Sequence, residues 1–151
     1  MALIDTIGEA IKTAMKAQDK LRLETLRSIK KVLLEKEVAV RPTGQTALTP
    51  EQEIEALSQI AKQRRDAIEQ YNAVGRPEAA AQEAAELKII EEFLPAQLSA
   101  AEIAAIVAEV ITQVGATSAK DMGKVMGPVM QKVKGQADGK QVQAAVKAAL
   151  G

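Results

Sequence analysis

Apolar residues recur along this chain at intervals of three and four, which lays them on one face of an α-helix, and nowhere do they alternate as a half-buried strand requires. That spacing points to an all-α fold. The residue types agree with it. Only Tyr71 and Phe93 are aromatic although 47% of the sequence is hydrophobic. The core is therefore Leu, Ile, Val, Met and Ala, and the unbranched members of that set lose little rotamer freedom in a helix. A length of 151 residues allows one core or two small ones, and no fixed period repeats along it.

Period and punctuation together place seven helices. Ile4, Ile7, Ile11 and Met15 mark the first, over about 3–17. Asp19 caps the second, which carries Leu26, Ile29 and Leu33 on one stripe; so short a link makes the two an antiparallel hairpin. Residues 39–49 (AVRPTGQTALT) lose the period at Pro42 and Gly44 and are expected to form a loop. Thr49, Pro50 and Gln52 make a capping box for helix three, whose buried stripe includes Ile54, Leu57, Ile60 and Ile68. Gly75 stops it, and an Ala-rich fourth helix runs to Phe93-Leu94 and ends at Pro95.

The residue before a proline is driven out of helical geometry, and a new cap at Ser99 with Glu102 follows at once. Pro95 is thus the expected boundary between an N-terminal four-helix module, 1–94, and a C-terminal three-helix module, 95–151. In the second module, helix five carries Ile103, Val107 and Val110 and stops at Gly115. Helix six begins near Ser118, with Met122, Val125, Met126, Val129, Met130 and Val133 inward, and stops at Gly135. Asp138 with Gln141 caps helix seven.

Several function classes are excluded by what the chain lacks. No Cys means no disulfide and no thiolate chemistry, and no His removes the commonest metal ligand and general base. Neither a metal nor a cofactor is expected. There is no secretory leader pattern at the N-terminus, and no apolar run approaches the ~20 residues of a membrane span, so the chain is expected to be cytoplasmic with no membrane partner. A net charge of zero argues against polyanion binding over the whole surface. The C-terminal end is nonetheless locally basic, with six lysines from Lys120 to Lys147 against Asp121 and Asp138.

Particular residues carry a family resemblance. Glu86-Leu87, Glu92-Phe93-Leu94-Pro95, Asp121-Met122-Gly123-Lys124-Val125-Met126-Gly127 and Lys134-Gly135-Gln136-Ala137-Asp138-Gly139-Lys140 together resemble the GatB/YqeY family. Ala14 to Lys20, Leu26-Arg27 and Gly75-Arg76 are similar to its free-standing YqeY-like branch. The C-terminal part resembles the tail of the GatB component of the glutamine-dependent amidotransferase that acts on mischarged Asp-tRNA and Glu-tRNA. The resemblance implies tRNA as a partner and an association with carbon-nitrogen ligase chemistry using glutamine as amide donor, without the parts that release ammonia or activate tRNA. One departure bears on this: the position after Gly135 is basic in the family pattern and here is Gln136, which weakens a phosphate contact there. Pro128 after Gly127 is expected to kink helix six.

On a helical wheel from Lys120 to Lys134, Lys120, Lys124, Gly127, Gln131 and Lys134 gather opposite the Met/Val stripe. They make a candidate tRNA-binding strip, with Lys132 and Lys140 flanking it and Gly127 admitting a phosphate backbone closely. The structural alternative is a solvated face with Gly123 and Gly127 there for tight helix packing. Base-stacking aromatics are absent from this module, so any contact reads shape and charge. Arg22, Arg64 and Arg65 fall on or beside buried stripes and must find a carboxylate or an anion, Glu24, Glu53 and Glu86 being the expected partners. Lys20, Glu24, Arg27, Lys31 and Glu35 read as a mixed-sign i,i+4 ladder on a solvated face. For catalysis, Glu91 and Glu92 diverge on a helix and Ser118 is better used as a cap than paired with Lys120. No independent enzymatic activity is expected. The competing function is a protein-binding adaptor with Met122, Met126 and Met130 as an adaptable groove.

Overall fold

A computed structural model describes residues 1–151. Its elements are α1 (Leu3–Lys16), α2 (Lys20–Val40), a 3-10 turn at Arg41–Thr43, α3 (Pro50–Ala73), α4 (Pro77–Glu91), α5 (Ala100–Val114), a 3-10 turn at Ala119–Asp121, α6 (Met122–Lys132) and α7 (Gly139–Leu150). There is no strand. The chain divides into two compact units, Met1–Leu94 and Pro95–Gly151.

Local chemistry fixes most helix ends. The side chains of Asp19, Thr49, Ser99 and Asp138 each accept a hydrogen bond from the backbone N–H three residues on, opening α2, α3, α5 and α7, and the last three are reciprocal capping boxes. At the α1–α2 link the Gln18 N–H donates to the Met15 carbonyl and the Asp19 N–H to the Ala14 carbonyl, with Gln18 in the left-handed region at φ 56°. Gly75 fills the same role after α3 at φ 73°. Arg76, next in sequence, stands over the Tyr71 ring at 5.8 Å.

Two boundaries of the N-terminal unit differ from the sequence expectation. The loop expected over 39–49 is shorter, because α2 continues to Val40 and a 3-10 turn carries the chain to Thr43 before Gly44 turns it at φ 88°. Pro42 has no N–H to extend α2, yet it fits the start of a 3-10 turn, where none is needed. Likewise α4 ends at Glu91, and Phe93 and Leu94 reach the core from the turn after it.

In the N-terminal unit α1 packs on α2 and α3 on α4, while α2 also touches both α3 and α4. Ile7, Leu26, Ile29 and Ile90 at the centre are wholly shielded from solvent. The three arginines clamp this unit. Arg22 grips Glu92 with two nitrogens, at 2.7 and 3.2 Å, and that hydrogen bond holds its pKa above the usual value. Arg65 reaches Glu91 at 3.5 Å, and the Arg64 Nε lies 3.5 Å from Glu83 and 3.7 Å from Glu86. Those last distances are long, and the buried Arg64 Nε makes no hydrogen bond.

Internal pairing thus accounts for all three arginines, with different partners from those expected apart from Glu86. Glu53 instead accepts from the Leu3 N–H at 2.8 Å, capping α1 from across the unit; Glu24 is exposed and stands outside the clamp. Burial pushes the Glu86 carboxyl above the ordinary range against the opposing pull of Arg64.

Leu26→Ala removes a fully buried side chain from the centre of this unit and is expected to cost about 2–5 kcal/mol, read as a lowered urea midpoint. A variant within 1 kcal/mol of the parent, as a rough threshold, would mean the site collapses around the deletion.

Candidate nucleic-acid interface

The C-terminal unit is built around branched aliphatics. Val125, Val129 and Val133 follow one another every fourth residue along and just beyond α6 and, with Val107, Val110 and Val146, are completely buried. Met122, Met126 and Met130 pack against the same core from beside it and are half-buried. With that stripe fixed inward, Gly123, Lys124, Gly127, Pro128 and Gln131 are turned to solvent.

Neither glycine on this face is required by packing. A methyl group added at Gly123 or Gly127 would meet nothing within 4 Å, so the tight-packing explanation does not hold in this unit. Gly127 has a local reason: it precedes Pro128, and a Cβ there would crowd the proline ring in helical geometry. The helix continues through Pro128, which leaves the Lys124 carbonyl without its usual N–H donor. Gly123 has no such reason. It lies in the first turn of α6, and its missing side chain leaves the backbone there open.

Lys120, Lys124, Gly127, Lys132, Lys134 and Lys140 are spread over several elements. Because α6 covers only Met122–Lys132, Lys120 lies in the 3-10 turn before it and Lys134 in the turn after it. A straight wheel over 120–134 therefore overstates their alignment; Lys124, Gly127 and Gln131 do share the exposed side of α6. Lys120, Lys124, Lys132, Lys134 and Lys140 are all exposed. Lys124 lies 3.7 Å from Asp121, and Lys132 lies 3.3 Å from Glu109. Lys140 sits in the first turn of α7.

Asp121, Gln97 and Gln136 have roles that local sequence pattern does not announce. Asp121 Oδ2 accepts from the Thr117 N–H at 2.9 Å, which holds this carboxyl below its ordinary range, with Lys124 a smaller influence. Ser118, expected as the cap, makes no side-chain cap bond. The one signal in the sequence is an acid four residues after a Thr at the mouth of a helix. Gln97 donates to the Gly135 carbonyl at 2.8 Å and Gln136 donates to the Ala96 carbonyl at 3.2 Å. These bonds tie the turn after α6, where Gly135 adopts φ 78°, to the segment that enters the unit. Gln136 is thus engaged in holding that turn. The chain has no group of three or more acidic side chains placed to hold a metal ion, and no single helix is long and apolar enough to cross a membrane.

The family model of Yqey-like proteins matches residues 4–150, and the chain belongs to that family. No curated protein matches it.

Two carboxyls of this unit are held below their ordinary range. Glu102 is held down chiefly by the Ser99 backbone N–H of its capping box, as Asp121 is by that of Thr117. A folded-state pKa below the unfolded one stabilises above the unfolded value, and that stabilisation is lost as pH falls through the folded value. The stability gap between the parent and Asp121→Ala should be present at neutral pH and close on acidification through the carboxylate range, as followed by urea unfolding. A gap independent of pH would assign the loss to packing.

Proposed function

We propose that this YqeY-like protein is a non-catalytic tRNA-binding accessory protein, contacting phosphates through Lys120, Lys124 and Lys134 of its C-terminal unit, with Lys132 and Lys140 flanking. The observation that carries the reading is the exposed side of α6. Lys124 there is 71% exposed, and it stands between Gly123 and Gly127, whose missing side chains leave the backbone open. A lysine is a point charge without base readout, and no aromatic residue lies in this unit to stack a base. Both features suit a folded RNA backbone better than an unpaired sequence.

The link to glutamine-dependent carbon-nitrogen ligase chemistry comes from the resemblance of this unit to an amidotransferase tail. It describes the company this chain keeps, since a chain without His or Cys offers none of the usual glutaminase machinery. The adaptor reading is the weaker one, because Met122, Met126 and Met130 are already packed on the unit's own core.

Two outcomes are expected. The purified chain releases no ammonia from glutamine and does not amidate Glu-tRNA; turnover by the protein alone, abolished by one substitution, would overturn the non-catalytic assignment. Titration with bulk tRNA shows salt-sensitive binding, and Lys124→Gln with Lys134→Gln weakens it while flattening the log-log salt slope by about 1.5 units, at roughly 0.7–0.9 for each phosphate no longer engaged. An unchanged slope would remove these lysines from the interface.

A further inference from the structure

Lys120, Lys124 and Lys134 are not carried alike. Lys120 stands in a 3-10 turn and Lys124 on α6, whereas Lys134 stands in the turn that follows α6. A turn by itself holds a side chain loosely, because its backbone bonds are few and open to solvent. Here the backbone is fixed on both sides of the lysine. Before it, Val133 is completely buried in the core of the unit. The Val133 carbonyl accepts from the Gln136 N–H at 2.7 Å, closing a four-residue turn with Gly135 at its positive-φ position.

After it, two glutamine side chains clasp the turn to residues 95–98. Gln97 uses both hydrogens of its amide, one on the Gly135 carbonyl at 2.8 Å and one on the Pro95 carbonyl at 3.0 Å. The Gln136 amide donates to the Ala96 carbonyl at 3.2 Å, and the Gln136 carbonyl accepts from the Leu98 N–H at 2.9 Å. Leu98 and Ala137, each next to the clasp, pack on the core. Of residues 133–138 only Lys134 is exposed, and its ammonium enters no ion pair. What the clasp immobilises is therefore one free cation.

We propose that Gln97 and Gln136 are positioning residues of the phosphate site: their side-chain bonds fix the turn that presents Lys134. The inference rests on the reading that this unit binds RNA. A charge held in place before its partner arrives removes part of the ordering cost of binding. Gln97 has no amide hydrogen left for a phosphate, so it acts only through the lysine.

The test removes both donors at nearly constant size, Gln97→Met with Gln136→Met, in the full chain. Affinity for bulk tRNA at about 50 mM salt is compared in the parent, Lys134→Gln and Lys124→Gln backgrounds. The clasp variant is expected to lose about three- to tenfold in the parent background. It should lose the same factor beside Lys124→Gln but less than about 1.5-fold beside Lys134→Gln, since a lysine that is gone can no longer be positioned. A clasp that serves only the fold weakens binding by the same factor in all three backgrounds, and that result overturns the proposal. So does a clasp variant that binds like the parent.

A second measurement needs no RNA. Amide relaxation by NMR is expected to give Lys134 an order parameter of about 0.85 in the parent and below about 0.6 in the clasp variant. A mobile Lys134 in the parent overturns the proposal. If the double variant does not fold, Gln97→Met alone, which leaves both Gln136 bonds in place, takes its part in each comparison. A parent that binds tRNA and is indifferent to Lys134→Gln overturns this proposal and leaves Lys120 and Lys124 as the contacts. A parent that binds no tRNA overturns the RNA reading and this proposal with it.

Discussion

Burial of short aliphatic side chains is the constraint on which the rest of this structure depends. With Phe93 as the only aromatic residue packed on either core, no large flat side chain is available to fill space between helices. Close packing must come from Val, Leu, Ile and Ala set at helical period. That is why the helices carry narrow, regular stripes, such as that of Val125, Val129 and Val133. It is also why each unit closes its own core.

A narrow inward stripe leaves a wide outward face, and its charges are sorted in two ways. In the N-terminal unit, cations near the core are paired: Arg22, Arg64 and Arg65 meet Glu92, Glu83, Glu86 and Glu91 on and just after α4. Desolvation makes an unpaired guanidinium at such positions costly. Cations on the outer side of α2 are free of that constraint and stand unpaired. The same protein, neutral overall, thus has its positive charge divided between an internal clamp and exposed side chains.

Most of the fold is legible in the sequence because helix ends are decided locally. Asp19, Thr49, Ser99 and Asp138 act as caps at the positions their residue types suggest, and Gly75, Gly115 and Gly135 turn left-handed where helical period stops. Features that escape a sequence reading depend on partners distant in sequence or on geometry beyond a single helix. Glu53 caps a helix 50 positions away, and Gln136 bonds back to Ala96, neither of which any local pattern encodes. The start of α6 is obscured because Ser118 looks like a cap yet makes no side-chain cap bond, while Asp121 reaches back to accept from the Thr117 N–H. The mixed-sign outer side of α2 is legible as a solvated face: Lys20, Glu24, Arg27, Lys31 and Glu35 are all exposed. Of the candidate site, the exposure of its lysines is legible, but their alignment is not, since α6 is shorter than its period suggests.

The central claim is that this chain acts by presenting the exposed lysines of its C-terminal unit to a phosphate backbone, with no chemistry of its own. Lysine-reactivity footprinting of the full chain with and without tRNA, read by mass spectrometry, tests it most directly. The account predicts protection of Lys120, Lys124 and Lys134 on adding tRNA, with Lys12, Lys62 and Lys88 unchanged. Protection spread evenly over all these lysines, or none at all, would contradict it.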